Sequence, residues 1–352
     1  MAPISVAVIK NQDVCSMQIQ ENISLRAYNT FGMDVTARHF AVFRETDELG
    51  QLITYNIQPK TFILGGGSNI LFTKNFDGLV LKNEIKGIDE LHEDKEYIYV
   101  KAGAGENWHQ FVLHCINRNW AGLENLSLIP GNVGASPIQN IGAYGVELRE
   151  VFSNLEAFHL QEKKIYNFTL GDCEFGYRDS VFKRKYKDQF VILNVTYRLR
   201  KHPVFHVNYG AITDELERAG VKELSIKAIS QAVINIRTSK LPDPAKIANA
   251  GSFFKNPEIS NTQYSTLNAQ FPGIVGYPLT NGNVKLAAGW LIEQCGWKGY
   301  RTGDAGCHEK QALVLVNFGN ANGKEIYGLS EKILQSVNEK FGVMLEREVN
   351  IM

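Results

Sequence analysis

Long apolar runs are missing from this chain. No stretch of about 18 uninterrupted apolar residues occurs, the length a bilayer-spanning helix needs, so no helical membrane anchor is expected. A charge bias of one sign is missing too: Lys plus Arg total 37, Asp plus Glu total 37, and the formal net charge is +0. Proteins that bind nucleic acid by neutralising phosphates carry a basic excess or patch; none is visible, and no nucleic-acid partner is expected. Five cysteines (Cys15, Cys115, Cys173, Cys295, Cys307) are odd in number, scattered and without a CxxC pair. That excludes a zinc ribbon or a thioredoxin-like motif and leaves reduced thiols in a cytoplasmic protein as the expectation. The eight histidines form no metal pattern. His109 and His114 are five apart and do not share a helix face as an HExxH pair does, and His202 and His206 flank Pro203, so no catalytic metal is expected. Residues 1–24 include Lys10, Asp13 and Glu21 and lack the apolar core of a signal peptide, so they read as a soluble N-terminal extension. Internal repeats and low-complexity segments are absent.

What is present is glycine in local clusters, within a 352-residue chain long enough for two or three domains. The residues from Ala41 to Ile57 read as a strand end followed by a helix, with Thr46 as N-cap and Leu49, Leu52 and Ile53 on one face. A strand at Thr61 to Leu64 runs into Gly65-Gly66-Gly67-Ser68-Asn69. Strands are predicted at Gly78 to Lys82 and Tyr97 to Lys101. Trp108, Phe111, Val112, Cys115 and Ile116 then repeat at helical spacing. Further on, a strand is predicted at Val191 to Leu199 and helices at Ser225 to Thr238, Leu286 to Gln294 and around Ile326 to Phe341, the last stopped by Gly342. The mixture is α+β, not a strict βαβ series.

Successive glycines let backbone N–H groups converge into an anion nest suited to a pyrophosphate. The GGGSN loop is not a dinucleotide fingerprint, because Ile70 stands where its last glycine belongs, nor a P-loop, since no Gly-Lys-Ser/Thr follows. By itself it is equally a tight turn. The loop from Gly122 to Gly145, GLENLSLIPGNVGASPIQNIGAYG, is too long and too apolar for a linker. Its glycines allow close approach to a flat ligand, and Ser136, Gln139 and Asn140 offer hydrogen bonds; a structural omega-like loop is the alternative. Two such loops in one domain suit a ligand as long as FAD. Arg178 in GYRDSVFK is either half of a structural ion pair or a fork that holds a carboxylate. Ser252 in NAGSFFKNP lacks a GxSxG context and is otherwise a turn residue. In Leu345-Glu346-Arg347-Glu348-Val349, a predicted terminal strand, alternation puts Glu346 and Glu348 on one side; surface carboxylates are the plain reading.

The order and wording of these segments go further. Asn29-Thr30-Phe31-Gly32, GGGSN, GLENLSLIPGNVGASPIQNIGAYGVEL, GYRDSVFK, TSKLPDP, GSFFKNP, KLAAGWLIEQCGWKG and QALVLVN follow one another in that order. Together they resemble the UDP-N-acetylenolpyruvoylglucosamine reductase (MurB) family over about Leu25 to Val349, and the segment around Tyr209 with the spacing onward to Ser252 resembles its type I subgroup. The resemblance implies an α+β, two-lobed FAD-binding domain of the vanillyl-alcohol-oxidase/PCMH type plus a C-terminal α+β substrate-binding domain. The implied division is an extension at 1–24, lobes at 25–86 and 87–240, a UDP-sugar domain at 241–342 and a C-terminal strand at 343–352 carrying a catalytic Glu. It implies Arg178, Ser252 and Glu348 as the catalytic set, distant in sequence but convergent beside the flavin ring. FAD, bound non-covalently, would be held by Gly65, Gly66, Gly67, Ser68, Asn69, Gly134, Ser136, Pro137, Asn140, Gly142, Ala143 and Tyr144. The UDP-sugar would meet Tyr209, Lys240, Asn256, Tyr277, Lys285, Lys298 and Gln311.

The implied activity is reduction of an enolpyruvyl ether of UDP-N-acetylglucosamine to UDP-N-acetylmuramate in peptidoglycan precursor synthesis, with NADPH as co-substrate, in a cytoplasmic monomer. Arg178 and a protonated Glu348 would stabilise the enediolate formed by hydride addition, and Ser252 would protonate its α-carbon. This sequence departs from the family at Arg347, where Pro is frequent, and at Asn350, where Arg is common; Gly66 is a position that can also be Glu. A flavin oxidase of the same fold, acting on a sugar or alcohol with dioxygen, is the leading alternative, and a catalytically silent nucleotide-sugar binder is the one from another class.

Overall fold

The computed structural model describes residues 19–55 and 60–352, and the chain divides into two compact units. Cys15 and the end of the predicted helix at Ile57 lie outside the described residues, as does most of the expected N-terminal extension. Its last residues, Gln20–Ser24, are a strand in a sheet and not a free tail.

The first unit comprises 36–66 and 76–239 together with the N-terminal residues. One of its sheets runs Gln20–Ser24, Thr36–Phe43, Phe76–Asn83, Thr61–Leu64, and its last three strands are parallel. Parallel neighbours need a crossover, and the helix Thr46–Tyr55 belongs to it, burying Leu49 and Leu52. Strand Thr61–Leu64 forms where the apolar run predicts it. A second sheet of five antiparallel strands is ordered Lys164–Thr169, Phe152–His159, Phe190–Arg200, Tyr97–Gly103, Ile88–Glu93. Its long strand Phe190–Arg200 is apolar on both faces because each face meets a core. Val191 and Leu193 pack with Ala41, Phe43 and Leu79, whereas Ile192, Val195, Tyr197 and Leu199 pack with Trp108, Phe111 and Cys115. The helix Trp108–Asn117 starts where Asn107 accepts a hydrogen bond from the Gln110 amide, and it buries the five residues its periodicity predicts.

The second unit comprises 24–35, 67–75 and 240–352. This differs from the linear division expected, which put the two short segments in the first lobe. The reason lies in the hydrogen bonds. Thr30 O accepts from Asn249 N at 3.0 Å, Phe31 O from Asn317 Nδ2 at 3.1 Å, and the strand Ile70–Leu71 pairs in parallel with Asn350–Ile351. Asn29 is the buried staple of the NTFG turn, bonded to Leu25 O, Met33 O and Met33 N. A four-stranded antiparallel sheet, Ala248–Ser252, Val314–Asn317, Ala305–Cys307, Arg301–Thr302, forms the body, with a smaller sheet of Glu258–Ile259, Val284–Leu286 and Gly276–Pro278. The helix Gly323–Phe341 has a complete capping box at Asn322 and Glu325 and ends at Gly342 in the left-handed conformation.

The expected terminal strand is less regular than alternation suggests. Only Asn350–Ile351 forms a ladder, while Arg347 makes an isolated bridge with Phe254. The alternation itself holds: Leu345 and Val349 are buried and Glu346 is exposed. Arg347, the residue in the usual proline position, docks on the helix through Ser330 Oγ at 2.8 Å, Glu331 at 2.6 Å and the Tyr327 ring.

Two glycines of this one helix are expected to respond in opposite ways. A β-carbon on Gly323 would lie 1.8 Å from Phe72 O, whereas one on Gly328 meets nothing within 4 Å. Gly328→Ala is expected to raise unfolding stability by up to about 1 kcal/mol from helix propensity. Gly323→Ala is expected to lower it by roughly 2 kcal/mol or more by displacing backbone. Denaturant unfolding of the two variants decides it.

Candidate active site

In the first unit, three loops meet backbone to backbone. The chain leaves Leu64 and passes Gly66 so close to Gly131 and Asn132 that a β-carbon there would be 2.8 Å from Gly131 Cα. The turn after strand Tyr97–Gly103 packs Gly105 against Glu84 and Ala104 against Gly134. Hydrogen bonds lock the arrangement: Gly134 N to Ala104 O at 2.9 Å, Val133 N to Glu106 O at 2.9 Å and Asn132 Nδ2 to Gly105 O at 3.0 Å. Lys82 Nζ donates to Gly65 O at 2.7 Å. Among the described residues, the Gly66 amide donates to no backbone carbonyl.

The loop continues into a clamp around Arg178. Asn140 Nδ2 donates to Gly176 O at 3.0 Å, Ser180 Oγ donates to Ile138 O at 2.7 Å, and the Arg178 guanidinium donates to Gly142 O. Asn140, Tyr144 and Arg178 have φ of 42°, 49° and 53°, a left-handed conformation that non-glycine residues rarely adopt. Asp179 is the carboxylate of the ion pair considered for Arg178, but it bonds Arg184 at 2.7 Å. The side chains of Ser136 and Asn140, expected to reach a ligand, are spent inside the unit. Ser136 Oγ bonds Val133 O and Tyr197 Oη, and Asn140 Oδ1 accepts from Arg149 N while its amide also reaches Glu147. The Ser136 backbone is engaged as well, its N–H donating to Val133 O at 3.0 Å and its carbonyl accepting from Ile141 N at 3.1 Å. Pro137 is buried; Gly142, Ala143 and Tyr144 are half-buried. Tyr144 meets the exposed Tyr209 ring edge to face at 5.4 Å.

Arg237 is a residue that sequence reasoning missed. It sits in the last turns of the helix Ile226–Lys240, where a basic side chain ordinarily signals a solvated end. Here it is half-buried, donates to Leu128 O at 3.2 Å and faces the Tyr144 hydroxyl and the Arg178 charge. Burial lowers the Arg237 pKa and raises that of Tyr144.

In the second unit, Ser252 ends the strand Ala248–Ser252, after Gly251 at φ 72°. The terminal segment lies against the residues that follow: Glu348 N donates to Phe253 O at 2.8 Å, and Lys255 N donates to Glu346 O at 2.9 Å. Glu348 is therefore bonded through its backbone to the residue that follows Ser252. Asn69 Nδ2 reaches Glu348 O at 3.3 Å, so the end of the glycine loop is tied to the same segment. The Asn350 side chain holds Asn69 O at 2.9 Å. Gly67 is fixed by close approach to Tyr28 O, and Ser68 is half-buried. The Ser252 hydroxyl bonds no group among the described residues.

Of the expected sugar-binding set, Tyr277 and Lys285 stand directly opposite each other across the small sheet, and Glu258, outside that set, is opposite Lys285 on the other neighbouring strand, so the three share a face. Asn256 Oδ1 accepts from Ala288 N at 3.0 Å, capping the helix Ala288–Gln294. Gln311 Oε1 accepts from Leu313 N at 3.3 Å. Lys298 is exposed and paired with Glu293 at 2.8 Å, and Lys240 is an exposed helix end. Among the described residues, no cluster of His, Cys, Asp or Glu could hold a metal ion, and no helix is long and apolar enough to cross a membrane.

The comparisons with known proteins agree with one another. A family model described as the C-terminal domain of UDP-N-acetylenolpyruvoylglucosamine reductase matches residues 243–352, and one described as an FAD binding domain matches residues 39–160. The UDP-N-acetylenolpyruvoylglucosamine reductase of Amoebophilus asiaticus is 53% identical over 338 residues, covering 96% of this chain and 100% of the relative. The chain belongs to the UDP-N-acetylenolpyruvoylglucosamine reductase family. The reductase of Flavobacterium johnsoniae is 47% identical over 96% of this chain and 100% of its own. The solved structure of the reductase (MurB) from Thermus caldophilus shares the fold, with a TM-score of 0.67 at 23% identity, covering 95% of this chain and 99% of that one. The α+β architecture is thus that of the reductase family, and the residues present fit its FAD: the three-loop cradle in the FAD-binding segment is shaped by glycines that a β-carbon would fill.

Glu124, in the GLENL motif of the family, offers a pH test. It is buried, its Oε2 accepts from Gly122 N at 2.7 Å, and Oε1 has no partner among the described residues. Burial raises its pKa above the ordinary 4.5. The folded protein therefore keeps this proton to higher pH than the unfolded chain does. Its contribution to stability is greatest below the ordinary carboxyl value and falls as pH rises toward the folded value. Glu124→Gln is expected to remove that fall, so that its stability changes less between pH 5 and pH 8 than that of the wild type. Denaturant titrations of both proteins at the two pH values check it.

Proposed function

We propose that this chain reduces the enolpyruvyl ether of UDP-N-acetylglucosamine to UDP-N-acetylmuramate, a step of peptidoglycan precursor synthesis in the cytoplasm, with NADPH as the electron donor. The observation that supports the reading is the backbone bond from Glu348 N to Phe253 O at 2.8 Å, which ties the Glu348 backbone to the residue that follows Ser252. This occurs inside the segment matched by the reductase C-terminal model.

FAD, when held by the glycine loops, would supply the redox chemistry that links the nicotinamide to the enol ether. The chain's own residues deal with charge and protons. Addition of hydride to a double bond conjugated with a carboxylate drives negative charge onto that carboxylate. Arg178 neutralises it with a fork of donors whose direction is fixed by the bond to Gly142 O. The Glu348 carboxyl adds a hydrogen bond, and together such preorganised groups are worth several kcal/mol, roughly 3 or more. Ser252 protonates the α-carbon; a serine is a weak acid, but an enediolate is a base strong enough to take its proton. Tyr277 and Lys285 on the small sheet, with the free amide of Asn256, Lys240, Gln311 and Tyr209, bind the UDP-sugar. Lys298 joins them by exchanging its Glu293 partner for a phosphate.

Ser252→Ala is expected to keep flavin reduction by NADPH at the wild-type rate while slowing sugar reduction by about 10²- to 10⁴-fold. Stopped-flow flavin bleaching and steady-state NADPH consumption measure the two halves separately. Equal loss in both halves, or oxygen uptake that depends on the sugar without NADPH, sinks the reading.

A further inference from the structure

Lys82 occupies a place in the first unit that its sequence does not advertise. It lies near the C-terminal end of the strand Phe76–Asn83, paired in register with Leu64, the last residue before the glycine loop. Ligands of open parallel sheets gather at the carboxyl ends of the strands. The lysine is half-buried, and among the described residues its ammonium has no carboxylate within ion-pair distance. The nearest acidic charge, Glu84, is taken by Arg44 at 3.0 Å. What the ammonium does touch is Gly65 O, at 2.7 Å. A trans peptide is planar, so the carbonyl of Gly65 and the N–H of Gly66 point in opposite directions. Holding one fixes the other. The Gly66 N–H is left aimed away from the lysine, donating to no backbone carbonyl among the described residues, at the point where Gly66 touches the Gly131–Asn132 backbone.

We propose that Lys82 is a positioning residue for FAD: it holds the Gly65–Gly66 peptide so that the Gly66 N–H faces the pyrophosphate, and it adds positive charge behind that peptide. The inference rests on the assignment of FAD to the glycine loops. Burial lowers the Lys82 pKa, which matches an ammonium that would gain from a nearby dianion. Lys86 is the internal comparison. It donates to Gly105 O at 2.6 Å, but the following amide, Glu106 N, is already bonded to Gly103 O at 3.0 Å, and Glu106 itself pairs with Lys86 at 3.5 Å. The peptide it holds has no N–H to offer, and its charge is cancelled.

The test is release of flavin from the holoenzyme on dilution, followed by the rise in free-FAD fluorescence. Lys82→Met is expected to release FAD about 10- to 100-fold faster than wild type, the loss of one charge-assisted contact. Its release rate should depend less steeply on salt, while the visible spectrum of the flavin still bound stays that of wild type, because the effect is at the phosphates and not at the ring. Lys82→Arg is expected to restore most of the retention, and Lys86→Met to behave as wild type. Wild-type release and wild-type salt dependence in Lys82→Met overturn the inference alone. So does faster release with an altered flavin spectrum, unchanged salt dependence and no rescue by Lys82→Arg, which marks a general structural defect. A wild-type protein that holds no flavin overturns the assignment on which the inference stands as well.

Discussion

At Gly66, Gly103, Gly105 and Gly134 the chain passes so near a neighbouring backbone or side chain that a β-carbon would sit between 2.5 and 2.8 Å from its closest atom. That packing governs the first unit. Loops this close exclude side chains from between them, so they bond through their own amides and carbonyls, as Gly134 N does to Ala104 O and Gly105 N to Ile85 O. A loop held by its own peptide groups has fixed dipole directions, and any amide left over becomes a preorganised donor. The rigid sheets beneath set the positions of the loops: strands Thr61–Leu64 and Tyr97–Gly103 each deliver one. Close approach, not side-chain chemistry, makes the surface on which an anionic ligand can be held.

The second unit solves a different problem, that of placing residues far apart in sequence along one line. The terminal segment is threaded past two others by successive bonds: Glu346 O to Lys255 N, Glu348 N to Phe253 O, Asn350 to Asn69 O and Met352 O to Thr73. Each is a backbone or short side-chain bond, so the place from which the Glu348 side chain starts is set by the backbone. Arg347 and Asn350 take part in this threading. The arginine anchors the segment to the helix Gly323–Phe341 and the asparagine to the glycine loop. Their polar groups are satisfied within the unit, which explains how these residues are accommodated.

Much of this was legible in the sequence because it depended on local patterns. The helix Trp108–Asn117 and the end of the last helix at Gly342 follow from apolar spacing and left-handed glycine. The strand Thr61–Leu64 follows from its apolar run and the glycines after it. What was not legible depended on partners remote in sequence. The segments 24–35 and 67–75 carry no local sign that they belong with the C-terminal unit, since the partners that hold them, Asn249 and Asn317 for the first and Glu348 to Met352 for the second, lie some 220 to 290 residues away. The edge strands Ile88–Glu93 and Lys164–Thr169 are mostly exposed, so apolar alternation gave no signal for them. Asn140 reads as a ligand donor until Gly176 O and Arg149 N are seen to take its side chain. Lys82 and Arg237 look like solvated charges because only the fold reveals what they face.

Strain links these observations to function. Three non-glycine residues near the Arg178 clamp, Asn140, Tyr144 and Arg178 itself, hold positive φ, a conformation that costs of order 1 kcal/mol or more apiece. Such residues persist only where their surroundings over-determine them. Asn140 has both amide N–H groups and its Oδ1 engaged, Tyr144 O is held by Asn125 at 3.0 Å, and the Gly176–Asp179 turn is closed by backbone bonds at both ends. An unstrained loop could fold with fewer constraints, but its arginine would sample several directions and lose entropy on meeting a carboxylate. Here that ordering is done during folding, and it is offset by the buried core of Trp108, Phe111 and Tyr197 beneath the loop. The stability of that core is therefore what allows the strained turn around Arg178 to persist.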